Sequence, residues 1–384
     1  MDLVLHIGGE KTGSTRIQGI LAKRRAELAA QGVILPRSVE VGPGWSLRLA
    51  LVAAGEEAEE VTWRFAHVHD PRARDAAVAR WRRALEAEVA RSDARAAVIS
   101  SEHLQSQPLS AERLRAFAAW LRGVFGRVQV VCYLRDPVEG TVSLHSTALK
   151  SGAVSSAPPP PEDEVVRRRF DHAAILGRWA EAFGRDAMEV RLFRRDELVG
   201  GDVWADFNAC ALAPLGVSVP PIEAPGNESL DRVGFAVLPR VNRLTFDPAA
   251  PPSAWRDAQE LRSILAYGLS HGGRAGIDPE MLSRYRDVYD PVLERVRAEW
   301  FPHREALFER APRPAAEPVD LTEAELDALA AVIVDAWRRR LPSRPPDGRL
   351  VAWARALSHK LSSLRRRLRW RRAATRWRPD GEGC

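Results

Sequence analysis

Three short apolar runs limit what this chain can fold into: LVLHI at 3–7, AVIS at 97–100 and VQVVCYL at 128–134. A strand that reads as a near-continuous apolar run is buried on both faces. Such strands belong to parallel sheets covered by helices. A further strand is expected at 188–193 (MEVRLF). Helical segments fill the gaps. Residues 15–30 place Ile17, Ile20, Leu21 and Leu28 near one face, with Gly32 as a stop. Ser110 is the expected N-cap of a helix at 110–124. Asp136-Pro137 opens another, a cap followed by proline at the first helical position. That helix should run to about Lys150, with Gly152 past its end. Asp171 caps a fourth at 172–183, stopped by Gly184. The alternation predicts an α/β fold of three layers, α/β/α, around a mostly parallel central sheet.

At 384 residues the chain has room for one large domain with appendages, or for two. It contains no run of 18 apolar residues, so no membrane-spanning helix is expected. The segment Met1 to Ile7 has neither a basic start nor a long apolar stretch, so no secretory signal is expected. Cys132, Cys210 and Cys384 are far apart and form no CxxC pair. That argues against a disulfide framework and a cysteine zinc site, and a reducing cytoplasm fits best.

The formal net charge of +6 hides an asymmetry. Residues 338–378 carry fourteen Arg and Lys360 against the single acid Asp347, and the rest of the chain is net acidic. Residues 155–162 (SSAPPPPE) and 342–348 (PSRPPDG) suit only an exposed loop and a linker. Between them, 322–341 reads as a helix with a Thr322/Glu325 capping box and a stripe of Leu326, Leu329, Ile333, Trp337 and Leu341. Beyond the linker, Leu350, Trp353, Leu357, Leu361, Leu364 and Leu368 recur at helical spacing among arginines. The expected division is 1–313, 314–341 and 342–384. The basic amphipathic tail, 349–378, is expected on an anionic membrane surface or another polyanion, with no specific nucleic acid as partner. The expected location is cytoplasmic or peripheral to a membrane.

The strongest chemistry follows the first strand, in HIGGEKTGSTRIQ (6–18). A glycine-containing turn between strand and helix aims several backbone N–H groups at one point, and the helix N-terminus adds partial positive charge. Gly13 permits close approach. Ser14 and Thr15 add hydroxyls, and Lys11 adds a full charge from one of only four lysines in the chain. Such a nest suits a phosphate-like dianion. It is not the triphosphate-binding GxxxxGK[ST] motif, because Lys11 precedes the last glycine.

HIGGEKTGSTRIQGIL resembles the 5′-phosphosulfate loop of sulfotransferases that use 3′-phosphoadenosine 5′-phosphosulfate (PAPS). A second resemblance is an Arg at a strand end with a Ser eight residues later, here Arg135 and Ser143 in YLRDPVEGTVSLHSTALKSG. Looser similarities run through SSEHL, FDHAAILGRWAEAFG, VRLFRRDEL, NESL and WFPHREALF, in the order found in bacterial, soluble members. The resemblance covers roughly residues 1–310. It implies a P-loop-like sulfotransferase fold and PAPS as co-substrate, with no metal required. It implies that Lys11, Thr12, Gly13, Ser14 and Thr15 hold the 5′-phosphate and sulfate, and that Arg135 and Ser143 hold the 3′-phosphate. The late Arg-Lys-Gly segment of animal cytosolic members has no clean match.

Transfer of a sulfuryl group from PAPS needs position and charge stabilisation more than covalent catalysis. Lys11 is the expected stabiliser of the leaving group. The base should lie in Ser100-Ser101-Glu102-His103, after the AVIS strand and hence at the carboxyl edge of the sheet. Glu102 is the first choice and His103 the alternate. The acceptor is expected to be a hydroxyl or amine of a small molecule or glycan. Trp45, Trp63, His67 and His69 fall between the two motifs and suit either a sugar platform or the core. Two other functions fit the same loop, a nucleotide-dependent small-molecule kinase and a nucleotide-binding scaffold without activity.

Overall fold

The structure, a computed structural model, describes residues 1–222, 229–246, 252–269, 277–308 and 322–338. The linker at 342–348 and the expected tail helix at 349–378 lie outside the described residues, as does Leu341.

Strand β1 (Asp2–Gly8) leads into helices α1 (Ser14–Lys23) and α2 (Arg25–Ala30) and the two-residue β2 (Val33–Ile34). Helices α3 (Leu47–Ala54), α4 (Glu60–Phe65) and α5 (Arg74–Ala90) precede β3 (Ala96–Ser100). Helices α6 (His103–Ser106) and α7 (Ala111–Val124) precede β4 (Val128–Leu134). Next come α8 (Pro137–Lys150), α9 (Glu164–Phe170), α10 (His172–Phe183), β5 (Met188–Leu192) and α11 (Val203–Phe207). The later helices are α12 (Arg232–Thr245), α13 (Pro252–Gly268), α14 (Pro279–Trp300) and α15 (Glu323–Arg338).

The five strands form one sheet in the order β2-β3-β1-β4-β5, and every adjacent pair is parallel. This is the α/β architecture that the apolar runs predict. Side chains alternate across the sheet. Leu3, Leu5 and Ile7 join Ala97, Ile99, Val130 and Cys132 in a core built with α3, α5, α7 and α10. Val4 joins Val98, Val131 and Tyr133 in a second core, with Ile17, Ile20 and Leu21 of α1 and Trp204 and Phe207 of α11. Helices therefore cover both faces. The chain leaves β1 toward one face and β3 toward the other. In open α/β sheets, ligands bind in the crevice that such a reversal opens at the carboxyl edge.

Capping follows the sequence closely. The Ser110 hydroxyl accepts from Arg113 N at 3.2 Å, and Asp171 accepts from Ala174 N at 3.0 Å. Asp136 accepts from Glu139 N at 3.0 Å. The helix expected over 15–30 is instead broken at Arg24, whose φ and ψ are −96° and 12°. The break has a tertiary cause. It keeps Leu28 fully buried while Arg25 donates to the Leu35 carbonyl and pairs with Glu40 at 2.5 Å.

Two polar features sit beneath the second core. His6 is fully buried, with Nδ1 2.8 Å from the Ser100 hydroxyl and edge contacts to Tyr133 and Phe207. Burial pushes its imidazole down to about 3, so it is a neutral core residue. Asp206, also fully buried, accepts from Tyr133 Oη at 2.9 Å and Val199 N at 3.2 Å. Arg191 grips the same carboxylate with Nη2 at 2.6 Å and Nε at 3.1 Å.

The described residues fall into two compact units, with the division inside α8 after Leu144. The first holds the sheet, and 159–222 and 279–308 belong to it. There the proline-rich loop is pinned from Pro159 onward. Tyr285 Oη donates to the Pro159 carbonyl at 2.7 Å, and Tyr289 Oη to that of Pro161 at 2.9 Å. The second unit is helical. Leu326, Ala330, Ile333 and Val334 of α15 pack on Val237, Leu238 and Val241 of α12, and Arg240 pairs with Asp327 at 2.8 Å and with Glu323. Leu326 and Ile333 of the expected stripe are buried, and Leu329 and Trp337 are partly so. Among the described residues no helix is long and apolar enough to cross a membrane.

Candidate active site

The loop after β1 is shaped by three positive φ angles in six residues: Gly8 at 91°, Lys11 at 65° and Gly13 at 82°. Glycine meets this demand cheaply at two of them. Lys11 does not, and a non-glycine residue in the left-handed region is the kind of local strain that collects at functional sites. The loop is tightly backed. A Cβ on Gly8 would lie 2.8 Å from Glu102 Cα, and one on Gly13 would lie 2.9 Å from Val203 Cγ1. Gly9 N donates to the Tyr133 carbonyl at 3.1 Å.

Helix α1 starts on Gly13 without a side-chain cap. The N–H groups of Thr12, Gly13, Ser14 and Thr15 have no hydrogen-bond partner among the described residues. They are the orphan donors of a helix start, gathered by the left-handed turn. The hydroxyls divide. Thr12 Oγ1 donates to the Gly9 carbonyl at 2.6 Å, and Ser14 Oγ to the same oxygen at 3.3 Å. Thr15 is exposed. The Thr12 and Ser14 protons thus shape the loop, and the backbone N–H groups carry the anion-binding potential.

Arg135, just past β4, reaches across. Its Nη1 donates to the Lys11 carbonyl at 2.6 Å, while its own carbonyl holds His172 Nε2 at 2.8 Å. The guanidinium lies 5.5 Å from the Phe193 ring centroid. The two motifs that the sequence separates by more than a hundred residues therefore touch. Ser143 is buried in α8, two turns beyond Pro137.

Glu102 and His103 follow β3 at the same carboxyl edge. Glu102 accepts from Gln18 Nε2 at 2.5 Å, and Gln18 also approaches the Ser100 carbonyl at 3.5 Å. The His103 ring centroid lies 5.9 Å from that of Trp45. Of the other aromatics, Trp63 is fully buried and stacks on Trp81, so it belongs to the core.

Sequence reasoning missed an ion pair beside the loop. Glu10 Oε2 and Arg169 Nε are 2.8 Å apart, each side chain only 12% exposed. Burial raises the Glu10 carboxyl, but the Arg169 charge and hydrogen bond, with smaller contributions from Ser106 and His103, together outweigh it, and the net displacement is downward. Glu10 stands inside the quoted motif and Arg169 ends the Arg167–Arg169 run. Nothing in their spacing joins them. Gln105 was missed as well, and its amide holds the Arg169 carbonyl at 2.9 Å.

Gly13→Val tests the loop. The new side chain meets Val203 in a left-handed backbone, a conformation that costs about 1–2 kcal/mol for a residue with a Cβ. Urea unfolding should show at least that loss. An unchanged midpoint would mean that the loop relaxes freely.

No protein-family model matches this chain, and no curated protein does. Among solved structures, the crystal structure of a sulfotransferase from Alicyclobacillus acidocaldarius is similar. The match covers 79% of this chain and 96% of that one, at 16% identity and a TM-score of 0.41. No group of three or more His, Cys, Asp or Glu side chains able to hold a metal occurs among the described residues.

Proposed function

We propose that this chain is a sulfotransferase that moves a sulfuryl group from PAPS to a hydroxyl of its acceptor. One observation carries the reading: Arg135 meets the Lys11 carbonyl at 2.6 Å, so a guanidinium adjoins a nest of unpaired N–H groups. A nucleotide with phosphates at both ends of its ribose needs those two anion sites side by side. The residues fit such a ligand. The N–H groups of Thr12 to Thr15 hold the 5′-phosphate end. Arg135 forks onto the 3′-phosphate, with the Ser143 hydroxyl as second donor.

When bound, PAPS supplies the activated sulfuryl group. The Lys11 ammonium offsets the negative charge that develops on the bridging oxygen, and the fixed N–H dipoles do so without reorganising. Glu102 takes the acceptor's proton, with Gln18 fixing its carboxylate and leaving one oxygen for the substrate. His103, one residue on, is the alternate base.

The test is thermal stabilisation of the full chain by adenosine 3′,5′-bisphosphate, beside ADP and ATP with Mg²⁺. At 100 times its dissociation constant the bisphosphate should add about 2.7 kcal/mol. A shift with ATP and Mg²⁺ alone would replace this reading with a kinase. No shift with any nucleotide would reject nucleotide use altogether.

A further inference from the structure

The loop after β1 gathers unpaired N–H groups and also carries a carboxylate. Glu10 stands one residue before Lys11 and two before Thr12, the first of those donors. Two extended residues span at most about 7 Å and five about 17 Å, and the turns of the loop shorten both. Exposed charges are largely screened beyond about 10 Å at moderate salt, and buried charges much less. The Glu10 side chain is only 12% exposed. Left unmatched, it would repel an anion held by Thr12 to Thr15.

Arg169 of α9 supplies the match, with Nε 2.8 Å from Glu10 Oε2. Its Nη1 donates to the Val165 carbonyl of its own helix at 3.0 Å, and Gln105 of α6 holds its carbonyl at 2.9 Å. The neighbouring Arg168 is engaged by Glu59 at 2.7 Å and does not substitute. The loop has other fastenings. Gly9 N donates to the Tyr133 carbonyl, Thr12 Oγ1 to the Gly9 carbonyl and Arg135 to the Lys11 carbonyl. These hold the backbone without Glu10, so the distinct contribution of the pair is charge balance. We propose that Arg169 is a positioning residue of the nucleotide site that acts through Glu10, cancelling the loop's own negative charge so that the N–H groups of Thr12 to Thr15 can take a phosphate. The inference rests on the nucleotide reading above and adds a residue to it.

Calorimetric titration of the full chain with adenosine 3′,5′-bisphosphate tests this. Burial raises the Glu10 carboxyl once its partner is gone, so the titrations are run at pH 8.5 to keep it ionised. His103, the other charged group acting on Glu10, and Glu102, which backs Gly8, are unchanged in every variant. Arg169→Gln leaves one uncancelled negative charge and should weaken binding about fourfold or more at low salt. Glu10→Gln still accepts from Arg169 but leaves one uncancelled positive charge, so binding should tighten by a similar factor. The double variant restores neutrality, Arg169→Lys preserves it, and both should bind within about twofold of the unaltered chain. Near 1 M salt, where the Debye length falls to about 3 Å, the differences should shrink. A packing role predicts the opposite pattern: every substitution weakens binding, and salt leaves the losses as they are. Arg169→Gln binding as well as the unaltered chain, or a double variant as weak as Arg169→Gln, overturns the inference. If Arg169→Gln does not fold, Glu10→Gln decides alone: tighter binding supports the inference, and equal or weaker binding overturns it. An unaltered chain that binds no bisphosphate removes the nucleotide reading and this inference together. One that binds it, with the variants out of order, overturns the inference alone.

Discussion

Lys11→Met should lower turnover by about a hundredfold to a thousandfold, the usual effect of removing one preorganised donor to developing charge. The side chain keeps the length of its aliphatic stem and loses its ammonium. The Arg135 bond reaches the Lys11 carbonyl, which survives the substitution. Bisphosphate binding should therefore weaken far less than turnover does, because the N–H groups of Thr12 to Thr15 remain. Initial rates of bisphosphate release from PAPS, with a hydroxyl acceptor present, give the first quantity. The thermal shift gives the second. Full turnover in this variant would remove Lys11 from the chemistry. Equal losses in both quantities would make it a binding residue only.

Asp206→Ala should be the most damaging change outside the site. The carboxylate is fully buried and receives four donors from Tyr133, Val199 and Arg191. Removing one partner of a buried pair costs about 3–5 kcal/mol, because the other charge is left without compensation. Arg191 keeps some access to water, its side chain being 31% exposed, so the lower end applies. The Tyr133 hydroxyl loses its acceptor as well. Calorimetry should show the melting temperature of the sheet-bearing unit falling by roughly 6–10 °C. A change within a degree would show that water replaces the carboxylate at little cost.

The sequence announced some of this and concealed the rest for definable reasons. Caps at Ser110, Asp136 and Asp171 were legible because a short polar side chain before an apolar period has one common use. The sharp turn after β1 was legible because glycines crowd between a strand and a helix. The break at Arg24 was not, since Arg24-Arg25 are good helix formers and only a tertiary contact, Arg25 with Leu35 and Glu40, turns the chain. The Glu10–Arg169 pair was invisible because its partners lie on loop and helix far apart in the chain. The Arg135–Lys11 contact was similarly hidden, and only the family resemblance placed the two in one site. Ser14 shows the opposite limit. Its presence in the motif was plain, while its bond to the Gly9 carbonyl depends on the left-handed turn.

The position of β1 also bears on how the molecule is made. It precedes the other strands of this sheet in the chain and is the middle strand of the sheet. Leu3 must wait for Ala97 on one side and Val128 on the other. Until then LVLHI is an apolar segment with both edges unpaired, and no local hairpin can shelter it. Non-local pairing of this kind slows folding and prolongs exposure to wrong partners. The segment that leads into the loop at Gly8 to Gly13 thus stays a target for chaperones until both partner strands have been made.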